Sequence, residues 1–231
     1  MNGKETQLQQ GLTQLRTRLL VMCAAVGIAV DEACAALETG NIGRAGAVVD
    51  GDSDINALEN EIDAMALSIM VRNQPVAQDL RFVVAALRMV IDLERIGDEA
   101  ASIAERVIIL HEQLPEPVMR AVSALMESAG NLYKKAVEAF RAQNADTALE
   151  ICRNDDESTQ MEVKALQRIM DYFCSGSNAH PGPYAGMHGI LICRALNRIC
   201  RRAANIAEHT YFIIRGVNIK HTPVRTMLEQ E

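Results

Sequence analysis

A shift of 103 residues lays the second half of this chain over the first. Leu93, Arg95 and Ile96 fall on Leu196, Arg198 and Ile199, and Ile103-Ala104-Glu105 falls on Ile206-Ala207-Glu208. Backwards from there, without a gap, Ala33 meets Ala136, Leu37 meets Phe140, Asn41 meets Asn144, Ala45 meets Ala148, Asp52 meets Asp155 and Glu59 meets Glu162. Such self-similarity marks two copies of one structural unit, each burying its apolar face against itself and its twin.

The unit is helical. Proline breaks helix interiors, and the six prolines are confined to joints at Pro75, Pro115, Pro117, Pro181, Pro183 and Pro223. Gly and Asn in "ETGN" (38–41) and "AQNAD" (142–146) supply two further breaks. Between them lie six long windows, 5–39, 42–72, 76–112, 117–143, 146–174 and 185–215, with no sustained strand alternation. The apolar content is 49% with only 3% aromatic residues and no tryptophan, a balance that favours helix over sheet. The expected fold is all-α, two repeated three-helix bundles over 1–113 and 114–216, followed by a tail at 217–231.

Several functions are disfavoured at once. A net charge of −7 argues against a nucleic-acid binder. The longest uninterrupted apolar run, Leu19 to Val30, is too short to span a bilayer. Although "ACA" at 33–35 resembles a signal-peptidase site, the stretch before it is long, glutamine-rich and helical in pattern, unlike a leader. The six cysteines form no CxxC pair; Cys193 and Cys200, seven apart, read as small core residues in a reducing compartment. No nucleophile–base arrangement, phosphate-cradling loop or cofactor motif is present. The irregular stretch 174–189, with its two histidines, reads as a flexible connector.

The chemistry is concentrated in "DLERIGDEAASIAE", Asp92 to Glu105. Glu94, Asp98, Ser102 and Glu105 share one helical stripe. Like charges one turn apart repel by a few tenths of a kcal/mol, so a cation, an arginine or solvent must offset them. In the preceding helix "DGDSD" places Asp50 and Asp54 one turn apart, near the end to which the next helix returns. Two facing acidic pairs, all oxygen donors, suit Mg, Ca, Mn or Fe. A ferritin-like di-iron site would need Glu-x-x-His motifs, and no histidine stands three residues after a glutamate, which weakens an oxidase reading. The residues leave open a metal-dependent enzyme, a metal-storage protein, and a plain solvated acidic face.

"NQPVAQDLR" (73–81) followed by "DLERIGDEAASIAE" resembles the PhoU family of phosphate-uptake regulators, and the resemblance covers nearly the whole chain. It implies a cytoplasmic, often dimeric, non-enzymatic protein. Such a protein is a negative regulator linking a phosphate ABC transporter, through its ATPase subunit, to a membrane sensor histidine kinase. Some members bind iron or zinc clusters through E(D)xxxD motifs, and others magnesium. By that resemblance Glu94 and Asp98 are metal ligands, with Asp50 and Asp54 as companions. The second copy departs from the family pattern: it reads "LNRICRR", with Asn197 and Arg201 at the places of Glu94 and Asp98. This implies loss of the second metal site. The expected replacement is Arg201, with Arg198 or Arg202, paired to Asp155, Asp156 and Glu157 through bidentate guanidinium contacts.

Overall fold

The computed structural model describes residues 2–153, 156–174 and 183–219. Among these there is no strand, and seven helices follow in order: α1 (Asn2–Thr39), α2 (Ile42–Asn73), α3 (Ala77–Leu110), α4 (Glu116–Ala142), α5 (Ala145–Arg153), α6 (Asp156–Cys174) and α7 (Pro183–Arg215). The single window expected over 146–174 is thus occupied by α5 and α6, with 154–155 between them outside the described residues. Residues 175–182 and 220–231, half of the expected connector and most of the tail, also lie outside them; the rest of that connector, 183–189, is not irregular but forms the first turns of α7.

The same turn chemistry opens the second helix of each repeat. Gly40 adopts the left-handed region (φ 65°) and Asn41 caps α2, its side chain accepting from the Arg44 N–H at 2.9 Å. At the counterpart positions Gln143 is left-handed (φ 52°) and the Asn144 side chain accepts from the N–H groups of Asp146 and Thr147, each at 3.0 Å. Asn144 N–H also closes onto the Ala139 carbonyl at 2.9 Å, capping α4. α2 ends where Pro75 forbids continuation.

α1, α2 and α3 pack on one another, as do α4, α5, α6 and α7. The two bundles are joined chiefly by α3 against α7, a seam as extensive as any within a bundle, and by α1 against α4. One continuous core runs through both, built on fully buried Leu15, Leu19, Met22, Met89, Leu93, Ile96 and, in the second half, Phe140, Ile192 and Ile199. Cys193 and Cys200 are buried free thiols within it, as expected for small core residues.

Polar staples cross between the repeats. Tyr133 of α4 donates its hydroxyl to the Cys23 carbonyl of α1 at 2.6 Å, inside the core. Its ring lies against Gly27, where an added Cβ would stand 3.2 Å from the ring edge. Arg16 of α1 reaches the Phe140 carbonyl at 2.9 Å with its guanidinium over the Phe140 ring. Lys134 pairs with Asp31 at 3.0 Å. α1 is the one helix among the described residues that is long and apolar enough by composition to cross a membrane, with a mean hydropathy of 1.9. One face of α1 is committed to the core, with 39% of its most apolar stretch buried.

Candidate functional site: an acidic face on α2 and α3

Gly97 determines how closely α2 and α3 approach. A Cβ there would meet Ile55 at 3.0 Å and the Asp52 carboxylate at 3.6 Å, so the missing side chain lets α2 lie directly over the motif. Glu94 and Asp98 flank that contact on α3. Glu94 has a side chain only 17% exposed. Its carboxyl is held above the ordinary glutamate range first by burial, then by Asp98, with Glu59 and Asp52 adding to the rise and Arg95 opposing it. Asp52 is raised by burial and by Asp98, against a hydrogen bond from Asn56 at 3.1 Å. Glu59 is raised by burial, by Asp63 and by Asp98, against Arg95.

The acids that α2 turns toward Glu94 and Asp98 are therefore Asp52 and Glu59, seven residues apart on one helical stripe. Asp50 and Asp54, expected there from the sequence, are both exposed, and Asp54 lines a groove between α2 and α1 instead. Helical geometry is the reason: Asp52 lies two residues, about 200°, from each of them, so the α2 face that meets α3 is the one they do not share.

Positive charge in the cluster comes from Arg95, 3.3 Å from Glu94 and 3.2 Å from Asp98. Its side chain is more than half exposed, so it covers the carboxylates from the solvent side rather than filling the space between helices. The inner oxygen of Asp52, Oδ1, is buried and has no hydrogen-bond partner. Four carboxylates against one arginine, with an orphaned buried oxygen among them, fit a hard cation by donor chemistry. The donors are not drawn into a closed ligand sphere: among the described residues no three of His, Cys, Asp or Glu are gathered closely enough to hold an ion.

The second repeat answers the same problem differently. Asn197, at the place of Glu94, donates its amide to Glu162, at the place of Glu59, at 2.5 Å. A neutral donor thus replaces one of two repelling acids. Arg201, at the place of Asp98, is exposed on α7, as is Glu157 on α6. Asp155 lies outside the described residues, and the side chain of Asp156 is likewise not described. Arg198 and Arg202, offered as its helpers, turn to the other repeat. Arg198 holds Glu99 of α3 through two contacts, one at 2.6 Å. Arg202 holds Asp92 at 2.9 Å.

Asp92 is the polar centre of the α3–α7 seam. Buried, it accepts from Arg202 and Asn205 at 2.9 Å each and meets the His209 ring at 3.1 Å. Burial opposes ionisation, but the His209, Asn205 and Arg202 contacts together outweigh it and bring the carboxyl below the ordinary range. The motif reading of the sequence missed this role. The partners lie 110 to 117 residues away, and no local spacing announces them.

A duplicated helical scaffold with a carboxylate face on one repeat and an amide-sealed counterpart on the other defines a tandem-repeat all-α protein. The PhoU domain family matches the chain twice, over 19–107 and 122–210, the two matches offset by the same 103 residues. A phosphate-specific transport system accessory protein PhoU homolog of Pseudomonas putida is 32% identical over 96% of this chain and 86% of its own length. The Escherichia coli accessory protein PhoU is 26% identical over 93% of this chain and 88% of its own. The crystal structure of PhoU from Pseudomonas aeruginosa superposes with a TM-score of 0.85 at 32% identity, covering 90% of this chain and 99% of that one. The chain belongs to the PhoU family, a family of accessory proteins and not of enzymes.

Proposed function

We propose that this chain is a negative regulator of phosphate uptake and of phosphate-starvation signalling. In this reading it acts by contact between the ATPase subunit of a phosphate ABC transporter and the cytoplasmic part of a sensor histidine kinase. The observation that carries the reading is the family match across both repeats, together with relatives named as accessory proteins of phosphate-specific transport. The protein works at the cytoplasmic side of the membrane, as a homodimer.

In the same proposal the α2–α3 face binds a divalent or trivalent cation, Fe, Zn, Mg or Mn. Glu94 and Asp98 would hold it, with Asp52 and Glu59 taking the companion role first assigned to Asp50 and Asp54. When bound, the ion supplies positive charge that neutralises the carboxylates. The residues themselves fix the relative position of α2 and α3 and present a defined surface. Arg95, more than half exposed, would have to swing outward for the ion to reach these carboxylates.

Deletion of the gene tests the regulatory reading. Phosphate uptake and a phosphate-starvation reporter should both become insensitive to abundant external phosphate, and the full-length chain should restore the response. An unchanged reporter in the deletion strain contradicts it.

A further inference from the structure

The duplication supplies an internal control for a surface outside the acidic face. Between α1 and α2 runs a groove of about 520 Å³ lined by Ala25, Ile28, Ala29, Ala47, Val48 and Ile55. Between α4 and the α5–α6 pair lies a groove of about 230 Å³, and all eight of its lining residues are the 103-residue counterparts of residues lining the first. The two copies differ in chemistry at four of these positions, while Leu132 and Ile151 stay apolar where the first has Ala29 and Val48. Where the first has Ala25, Ile28, Ala47 and Ile55, the second has Ser128, Asn131, Glu150 and Ser158. The second copy, with α5 and α6 in place of one continuous helix, carries polar residues at these four positions, so the apolar lining of the first copy is not demanded by the repeat. Ile28 is 65% exposed, an apolar side chain held in water at the groove edge.

We infer that the α1–α2 groove is the docking site for an amphipathic helix of a partner protein, one with an apolar stripe flanked by lysine or arginine. Its floor is made of small residues, Ala25, Ala29, Ala47 and Gly51, and a Cβ added at Gly51 would meet nothing within 4 Å, so a third helix can approach closely. A helix in such a groove is held by apolar anchors at i, i+3, i+4 and i+7. Charge selects the flanks. Arg44 at the rim is already bound to Glu32 at 2.7 Å, whereas Asp54 is exposed and has no ion-pair or hydrogen-bond partner among the described residues. Asp50 stands exposed one turn before it. The rim thus offers uncompensated negative charge to a basic partner. At the other groove Lys135 stands where Glu32 stands here, but Glu157 keeps the acid of Asp54 and Glu150 adds another, so the two copies differ in the apolar character of the lining rather than in net charge. The inference rests on the reading that the chain acts by protein contact, and it assigns that contact a surface and a partner chemistry.

The test uses the full-length chain and a labelled synthetic helical peptide of about five turns, with leucines at i, i+3, i+4 and i+7 flanked by lysines. A second peptide carries the same leucines flanked by glutamates. Fluorescence anisotropy should show saturable binding of the lysine peptide and binding of the glutamate peptide at least about tenfold weaker. Ile28→Asn with Ala47→Glu, which transplants the second groove's residues, should abolish binding while leaving circular dichroism and Tm unchanged. Asp54→Lys, an exposed change that spares the floor, should reverse the preference between the peptides. Equal binding of both peptides, or undiminished binding to the transplanted variant, overturns the proposal. So does a wild-type dimer in sedimentation that the transplanted variant converts to monomer, because the groove then belongs to a second copy. If the transplanted variant still recovers the transporter ATPase and the kinase from cells as the wild type does, the groove assignment fails and the regulatory reading stands. If the wild type recovers neither, the regulatory reading itself fails.

Discussion

Asn197 donates to Glu162 at the position where the first repeat sets Glu94 beside Glu59. Replacing a glutamate carboxylate by the shorter asparagine carboxamide converts a repelling pair into a hydrogen-bonded one. Reintroducing the acid should reverse it. Asn197 is buried, so Asn197→Asp places a second carboxylate against Glu162 and should cost about 1–3 kcal/mol. In the other direction, Glu94→Asn should raise the midpoint of urea unfolding in metal-free buffer. Midpoints for both variants beside the wild type check the pair.

The cation proposal predicts a loss that stability does not share. Glu94→Gln with Asp98→Asn removes charge but keeps shape. Elemental analysis of the purified variant should show stoichiometric metal gone while its Tm in chelator equals or exceeds that of the wild type. Retained metal contradicts the assignment.

Asp92 is the linchpin of the α3–α7 seam, and its removal should be destabilising. Asp92→Ala leaves the buried His209 and the partly exposed Arg202 without their acceptor, at a cost of about 1–3 kcal/mol. Thermal unfolding of the variant against the wild type reads this out.

The acid limb of the stability profile should contain two opposed contributions. Asp92 has a lowered carboxyl, so its contribution is complete above the unfolded value of about 4 and is lost as pH falls through its lower folded value. Glu94, Asp52 and Glu59 are raised, so metal-free stability declines as pH climbs from about 4 through their higher folded values. Asp92→Asn should flatten the first change, and Glu94→Gln the second, in unfolding free energies measured from pH 2 to pH 7. A variant profile parallel to the wild type would refute the corresponding contribution.

Tyr133 closes the α1–α4 contact through the Cys23 carbonyl, and burial with nearby Cys23 and Asp31 holds its hydroxyl protonated far into the alkaline range. Tyr133→Phe should cost about 1 kcal/mol, seen as a lower unfolding midpoint.

The three-plus-three architecture was legible because helix signals repeat on an interval of 103 residues: Asn41 and Asn144 open the second helix of each half, and the prolines stand only at joints. The register of the acidic face was not. The pair Asp50 and Asp54 looks like a counterpart to Glu94 and Asp98 by spacing alone, yet Gly97 meets α2 at Ile55 and Asp52. The alignment already contained the better signal, since it lays Asp52 on Asp155 and Glu59 on Glu162. By spacing alone the arginines of α7 look like local replacements for a cation. Their actual partners, Glu99 and Asp92, depend on how the two bundles dock, which local spacing does not encode. The grooves were invisible for the same reason, because each is shaped by residues from separate helices.

The most direct measurement is recovery of the tagged full-length chain from its own cells in phosphate-rich and in phosphate-poor medium, with quantitative mass spectrometry of what accompanies it. The account predicts the ATPase subunit of a phosphate transporter and a sensor histidine kinase, in amounts that change with phosphate. Recovery of neither, or of both in equal amounts under the two conditions, would contradict it.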